Sequence, residues 1–243
     1  MAAYVEHIYV VINNTLCGYN IIMDKSAITI KKSKTTGKRL SPEEREAHIV
    51  KGAIEFFSEV GFEGKTRDLA NSLGITQPLL YRYFPTKDIL IERVYQEVYV
   101  QRFKPEWTEL ITDRSIPIRD RLIRFYSEYE DIISNYQWVR LFMFAGLKGV
   151  DINKRYIELM EENIIKPICI ELRNSFDLDS VSKNDISGLE LEFVWGFHGI
   201  FFYRAIRKWI YHLPIPKNVS LILNQDIDNL LSTVEESFLN LNP

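Results

Sequence analysis

The chain has 243 residues, too many for one small helical domain and enough for a small and a larger domain that each bury a core. A formal net charge of −3 excludes a protein that coats nucleic acid by charge along its whole length. Two cysteines, Cys17 and Cys169, show neither metal-ligand spacing nor a disulfide framework, and no uncharged apolar run approaches the roughly 20 residues of a membrane span.

The charge is uneven. Residues 23–88 carry 12 Lys and Arg against 9 Asp and Glu, a balance of +3, whereas residues 89–243 carry 18 against 23, a balance of −5. A basic amino-terminal part on an acidic body suits a DNA-reading head joined to a body that does not touch DNA.

Residues 1–22 are apolar and β-branched, with no lysine or arginine. They lack the positive start and small-residue cleavage site of a secretory signal. We read them as untranslated or disordered, with Met23 as the working start; the alternative is an extra strand or helix packed on the body. Lys25, Lys31, Lys32, Lys34, Lys38 and Arg39 follow, interleaved with Ser, Thr and Gly and with no acid. This reads as a flexible basic arm, either one that follows DNA phosphates or a solvated leader. Together, residues 1–40 form an atypical amino-terminal extension.

Ser41-Pro42-Glu43-Glu44 has the grammar of a helix start: a cap, proline in the first turn, then acids at the positive end of the dipole. Ile49, Val50, Ala53, Ile54 and Phe57 recur at helical spacing, and Gly61-Phe62 ends the run. Thr66 is placed to cap a second helix, with Asp68 in its opening turn and Leu69, Ala70 and Leu73 on one face. Gly74 stands where the chain leaves that helix, and glycine takes up a left-handed cap at little cost. Thr76 is placed to cap a third helix with Pro78 in its first turn, ended by Phe84-Pro85. Two helices meeting at a glycine, the second free to enter a major groove, make a helix-turn-helix over residues 41–88.

The next helix is predicted from the Thr86 cap to about Phe103, where Lys104-Pro105 stops it. Later helices are predicted at about 117–134, 136–147, 151–174 (with a kink or break at Pro167), 184–211 and 219–241. The last is cleanly amphipathic, with Leu223, Ile227, Leu230, Leu231, Val234, Phe238 and Leu241 on one stripe. The helix before it is apolar nearly all round in its middle, so both of its sides need cover. The chain is therefore expected to be all-α, with a larger helical domain at 89–243.

At residues 43–92 the sequence resembles the DNA-binding domain of the TetR family of one-component transcriptional regulators. The residues that carry the resemblance are Ile49, Ala53, Phe57, Gly61, Phe62, Thr66, Arg67, Leu69, Ala70, Gly74, Ile75, Tyr81, Phe84, Lys87 and Leu90. The resemblance implies a homodimer that reads a palindromic operator in double-stranded DNA, with the last two helices of each chain at the interface. It also implies a small-molecule effector, here of unknown identity, bound in the body, and repression as the commoner mode of action. The cytoplasm is the expected location, and no membrane partner is expected.

By the same resemblance Gln77 and Pro78 are the base readers. Gln can pair two-pronged with adenine, and Pro can pack on a thymine methyl. Leu79 stands where many relatives carry a small or polar residue. Arg82 reaches guanine or phosphate; Tyr81, Tyr83 and Lys87 match phosphate-gripping positions; Thr66 and Arg67 match contacts from the preceding helix; Thr76 combines capping with a phosphate bond.

Candidates for the effector site are the aromatic residues Trp107, Tyr126, Trp138, Phe142, Trp195 and Phe202 with His198, joined by Phe125, Phe144 and Phe176. Each of these also suits a plain helical core, and His198 a hydrogen-bonded core or interface position. No cofactor, metal set or catalytic motif is found: there is no glycine-rich phosphate loop, no G-x-S-x-G elbow and no Cys/His pair. The rival reading is a helix-turn-helix protein with an architectural or protein-contact role and no effector.

Overall fold

The computed structural model describes residues 40–178 and 185–241. The expectations for residues 1–22 and for the basic arm fall outside the described residues, as does Cys17. Every described regular element is helical.

Helix α1 (Pro42–Val60) begins as its sequence dictates. The Ser41 hydroxyl accepts from the Glu44 amide (3.1 Å) and the Glu44 carboxylate accepts from the Ser41 amide (2.7 Å). It buries Ile49, Val50, Ala53, Ile54 and Phe57 against α2 (Thr66–Ser72), α3 (Gln77–Tyr83) and α4 (Lys87–Val98). Gly74 sits at φ 64° between α2 and α3, and the Ile75 amide returns to the Ala70 carbonyl at 3.0 Å. Thr76 caps α3 through the Leu79 amide (3.3 Å) and Thr86 caps α4 through the Ile89 amide (3.2 Å). At Gly52 the helices α1 and α2 come so close that a Cβ would stand 2.1 Å from Leu73 Cδ2.

Two expectations need correction here. Thr66 does not cap α2: Lys65 holds the cap position, without a side-chain bond, and Thr66 is already helical and turned toward α3. Helix α4 also stops earlier than predicted, at Tyr99, and a 3-10 turn at Val100–Arg102 finishes the path. Four crowded side chains in a row, Val98 to Gln101 after Glu97, include two β-branched residues, which fit a helix less readily.

Beyond it comes a helix that the sequence pattern did not suggest, α5 (Glu106–Thr112), which buries Trp107 and Ile111 one turn apart. Helices α6 (Ile118–Ile133) and α7 (Tyr136–Lys148) lie close to the predicted limits. The predicted helix 151–174 is present as α8 (Ile152–Met160), a single π turn (Glu161–Ile165) and α9 (Lys166–Ser175). Pro167 explains the interruption. It has no N–H for the carbonyl four residues back, and that carbonyl, of Asn163, accepts instead from the Thr108 hydroxyl of α5 at 2.9 Å.

Helix α10 (Gly188–Trp209) opens with a second reciprocal cap between Ser187 and Glu190, and α11 (Val219–Leu241) matches the predicted range. Helix α11 lays Leu223, Ile227, Leu230, Val234 and Phe238 on α6 and α10. Ion pairs fix the same seam: Arg119 to Asp228 at 2.6 Å, and Arg204 to Glu130 (2.6 Å) and Asp226 (3.3 Å).

Candidate nucleic-acid interface and ligand cavity

The start of α3 is a short helix held from below and open above. Leu80 and Phe84 are buried in the core of the head, while Pro78, Tyr81 and Arg82 are exposed and Gln77 and Leu79 half-buried. Arg67 on α2 and Thr76 at the turn are also exposed. Tyr83 is half-buried and packs on the core. Lys87 is half-buried, with its Nζ 5.9 Å from the centre of the Phe57 ring.

A small polar network stiffens this surface. The Thr66 hydroxyl lies 2.9 Å from the Tyr81 hydroxyl and accepts from Gln77 Nε2 at 3.1 Å. Thr66 is 9% exposed and Tyr81 38%. One buried oxygen thus fixes the angle between α2 and α3 and sets both Gln77 and Tyr81. Of the ten sequence-predicted positions, these three are joined directly. Thr76 and Leu79 are joined by the cap bond of α3, and the other positions share the face.

The body contains a cavity of about 160 Å³ between α6, α7, α8 and α10. Trp138 and Phe142 of α7 form one wall, with parallel rings 5.0 Å apart. Tyr156, Ile157 and Met160 of α8 form the next, and α10 adds Trp195, His198, Gly199 and Phe202. Tyr129 of α6 closes it. The exposed Ile157 and Gly199 stand at its outer side.

His198 is buried, with Nε2 2.9 Å from the Tyr129 hydroxyl and Nδ1 unpartnered. Burial pushes its pKa down to about 3, so the ring is neutral at physiological pH. The Tyr129 hydroxyl also bonds that of Tyr156, and burial raises the pKa of both. Trp138 Nε1 is buried and unpartnered as well, whereas Trp195 Nε1 donates to Glu161 at 3.4 Å.

Five of the seven predicted effector residues therefore line one cavity: Trp138, Phe142, Trp195, His198 and Phe202. Trp107 and Tyr126 do not. Trp107 packs edge-on to Phe103 and Phe125 and donates to Glu128 at 3.1 Å. Tyr126 stacks on Phe201 with ring centres 4.4 Å apart, behind His198. Phe125, Phe144 and Phe176 also stand away from the lining. Tyr129, Tyr156, Ile157, Met160 and Gly199 also line it and were not among the sequence candidates. The i, i+4 spacing of Tyr156 and Met160 is a signal for one face, but not for which face meets the cavity.

Among the described residues no group of three or more His, Cys, Asp and Glu could hold a metal ion, and no helix is long and apolar enough to cross a membrane.

The described helices form a capped helix-turn-helix, an arrangement that can place a helix in a major groove, on a larger all-helical body. Residues 49–94 match the family described as bacterial regulatory proteins, tetR family. Solved structures share the fold. A TetR-like transcriptional regulator from Rhodococcus sp. RHA1 is 19% identical over 83% of this chain and 99% of its own, with a TM-score of 0.57. A tetR-family transcriptional regulator from Streptomyces coelicolor is 18% identical over 82% of this chain and 87% of its own, with a TM-score of 0.53. No match is found among curated proteins.

Proposed function

We propose that the chain is a cytoplasmic repressor that binds a palindromic operator as a homodimer and is released by a small, mainly apolar effector. The head spans residues 41–88 and the body 89–243. The observation that carries the DNA-binding part is the amino-terminal end of α3. Pro78 and Arg82 stand there toward solvent with the half-buried Gln77 beside them, while Thr66 and Tyr81 hold the helix at a fixed angle. Gln77 and Pro78 read bases; Arg67, Thr76, Tyr81, Arg82, Tyr83 and Lys87 bind the backbone around them.

The dimer reading is supported by α10 and α11. They leave Leu189, Ile200, Tyr203, Leu221 and Leu239 exposed, and a shallow apolar groove runs between them past Phe193, Gly196 and Leu230. A second copy would cover these side chains and place two recognition helices on half-sites about one helical turn, ~34–36 Å, or a multiple apart. The aromatic cavity favours a ligand-responsive regulator over a helix-turn-helix protein without an effector.

The deciding experiment is selection of bound sequences from a random DNA pool. A palindromic motif supports the dimeric reader, and its genomic positions identify the targets. No enrichment by folded, dimeric protein removes the operator reading. Expression of a target gene that falls when the regulator is deleted overturns repression.

A further inference from the structure

The effector reading says only that the ligand is small and mainly apolar; the cavity says more. Its volume of about 160 Å³ is close to the roughly 150 Å³ of cavities known to take up a benzene ring. It holds one ring with a small substituent, not two fused rings. The rings of Trp138, Phe142, Tyr156 and Phe202 meet each other at 5.0–6.0 Å, so a flat guest finds faces and edges on several sides.

Charge is excluded on two grounds. None of the lining side chains carries a formal charge, since the buried His198 ring is neutral. The charged group in contact with the lining is a carboxylate, Glu161, which accepts from Trp195; the cation beside it, Lys166, is shared between Glu161 and Glu162. A carboxylate guest would meet like charge and no free cation. A cationic guest would be desolvated against rings and one distant, already bonded acid.

Two polar atoms of the lining residues are nevertheless left over. Trp138 Nε1 and His198 Nδ1 are both buried without a protein partner, and both residues line the cavity. The indole N–H can only donate, so it requires an acceptor. The imidazole Nδ1 donates or accepts according to its tautomer, which the Tyr129 hydroxyl on Nε2 sets. A guest hydroxyl within reach of these atoms would satisfy one or both of them.

We propose, resting on the effector reading for its biological use, that the cavity binds a neutral single-ring aromatic compound bearing one hydroxyl, which accepts from Trp138 and pairs with His198.

The test uses the full chain and p-cresol, toluene and benzoate as probes in titration calorimetry. p-Cresol should bind about tenfold more tightly than toluene, and benzoate should not compete. Trp138→Phe should narrow that preference severalfold. Ile157→Trp, which adds a ring at the exposed side, should abolish uptake while thermal unfolding stays cooperative. Tighter binding of benzoate, equal binding of toluene and p-cresol, or no binding of either neutral ring to folded protein overturns the proposal. An operator-binding assay separates the two claims. p-Cresol that binds without altering DNA affinity leaves the ligand class standing and removes the effector reading. Release from DNA by a charged compound, with p-cresol silent, does the reverse.

Discussion

Tyr99, the residue that ends α4, donates its hydroxyl to the backbone carbonyl of Trp138 at 3.1 Å, and its ring lies 5.2 Å from the Trp138 ring. The same ring meets Phe142 and Tyr156. The helix that leaves the head is therefore fastened to two walls of the cavity, those of α7 and α8. Other bonds run beside it. Arg155 of α8 lies 3.9 Å over the Tyr95 ring and pairs with Glu92 at 2.9 Å, both on α4. Arg140 of α7 donates to the carbonyls of Ser58 and Glu59 at the end of α1. A guest that displaces α7 or α8 thus acts on α1 and α4 by direct contact.

Tyr99→Phe keeps the ring and removes only the bond. It should cost about 1 kcal/mol in urea unfolding, since the Trp138 carbonyl is left without this donor. Its more telling effect concerns coupling. The ratio of DNA affinities with and without p-cresol, read by fluorescence anisotropy, should move toward one in the variant. An unchanged ratio would mean that the signal takes the Arg155 or Arg140 route.

Gly74 gives a prediction free of packing effects. Its φ is 64°, and a Cβ there would meet no atom within 4 Å. Gly74→Ala should therefore destabilise the chain by about 1–2 kcal/mol through backbone conformation alone. Gly74→Asn should cost less, because asparagine tolerates the left-handed region. Equal losses for both variants would point to a role beyond the turn.

The turn at Gly74 was legible in sequence because glycine, the Thr76 cap and Pro78 all act locally. The same holds for the Ser41 cap and for the stripe of α11, where a period of 3.6 is sustained over six turns. What could not be read depends on contacts distant in sequence. Thr66 looked like a cap because threonine before an acid usually is one; its bonds to residues 11 and 15 positions away decide otherwise. Helix α5 is seven residues long, too short for periodicity to stand out, and it is held by Trp107, Ile111 and the Thr108 bond to Asn163. The cavity follows the same rule. Its aromatic character was visible, but its membership depends on how four helices are rotated, which brought in Tyr129 and Tyr156 and left out Trp107.

Gln77 and Lys87 should fail in different ways. Gln77→Ala should relax the preference at one base position, at about 1–3 kcal/mol, and should also release Thr66 from one of its bonds. Lys87→Ala should weaken every sequence alike and lower the salt dependence by about one phosphate contact. Competition binding across operator variants, repeated at several salt concentrations, separates the two. Equal loss of specific and non-specific binding in both variants would contradict the assignment.

Glu190 ties α9 to α10. Its carboxylate, buried in the fold, accepts from Arg173 at 2.6 and 2.8 Å and from the Ser187 amide at 2.8 Å. Glu190→Leu removes both ties and leaves the buried guanidinium without its carboxylate. A loss of about 3–5 kcal/mol is expected in urea unfolding. Ser187→Ala, which removes only the hydroxyl cap, should cost about 1 kcal/mol. Similar losses for the two would mean that the cap, not the ion pair, holds this corner.

His198 links stability to pH. The folded state holds the ring neutral, with its pKa depressed from 6.5 to about 3 by burial. The unfolded chain takes up a proton below about pH 6.5, and the folded chain does not until far lower. Stability is therefore complete above pH 6.5 and falls as pH drops through 6.5 toward 3. Between pH 7 and pH 5 the loss should be about 2 kcal/mol. Over that interval the buried carboxylates Glu171 and Glu190, whose pKa values are lowered, remain ionised and contribute little to the slope. Urea unfolding at pH 5, 6 and 7 measures it, and His198→Gln should flatten the profile. A slope that survives the substitution would place the titrating group elsewhere. A flat profile in the unaltered protein would mean that His198 finds a proton-stabilising partner in solution, and the neutral character assigned to the cavity would then be lost.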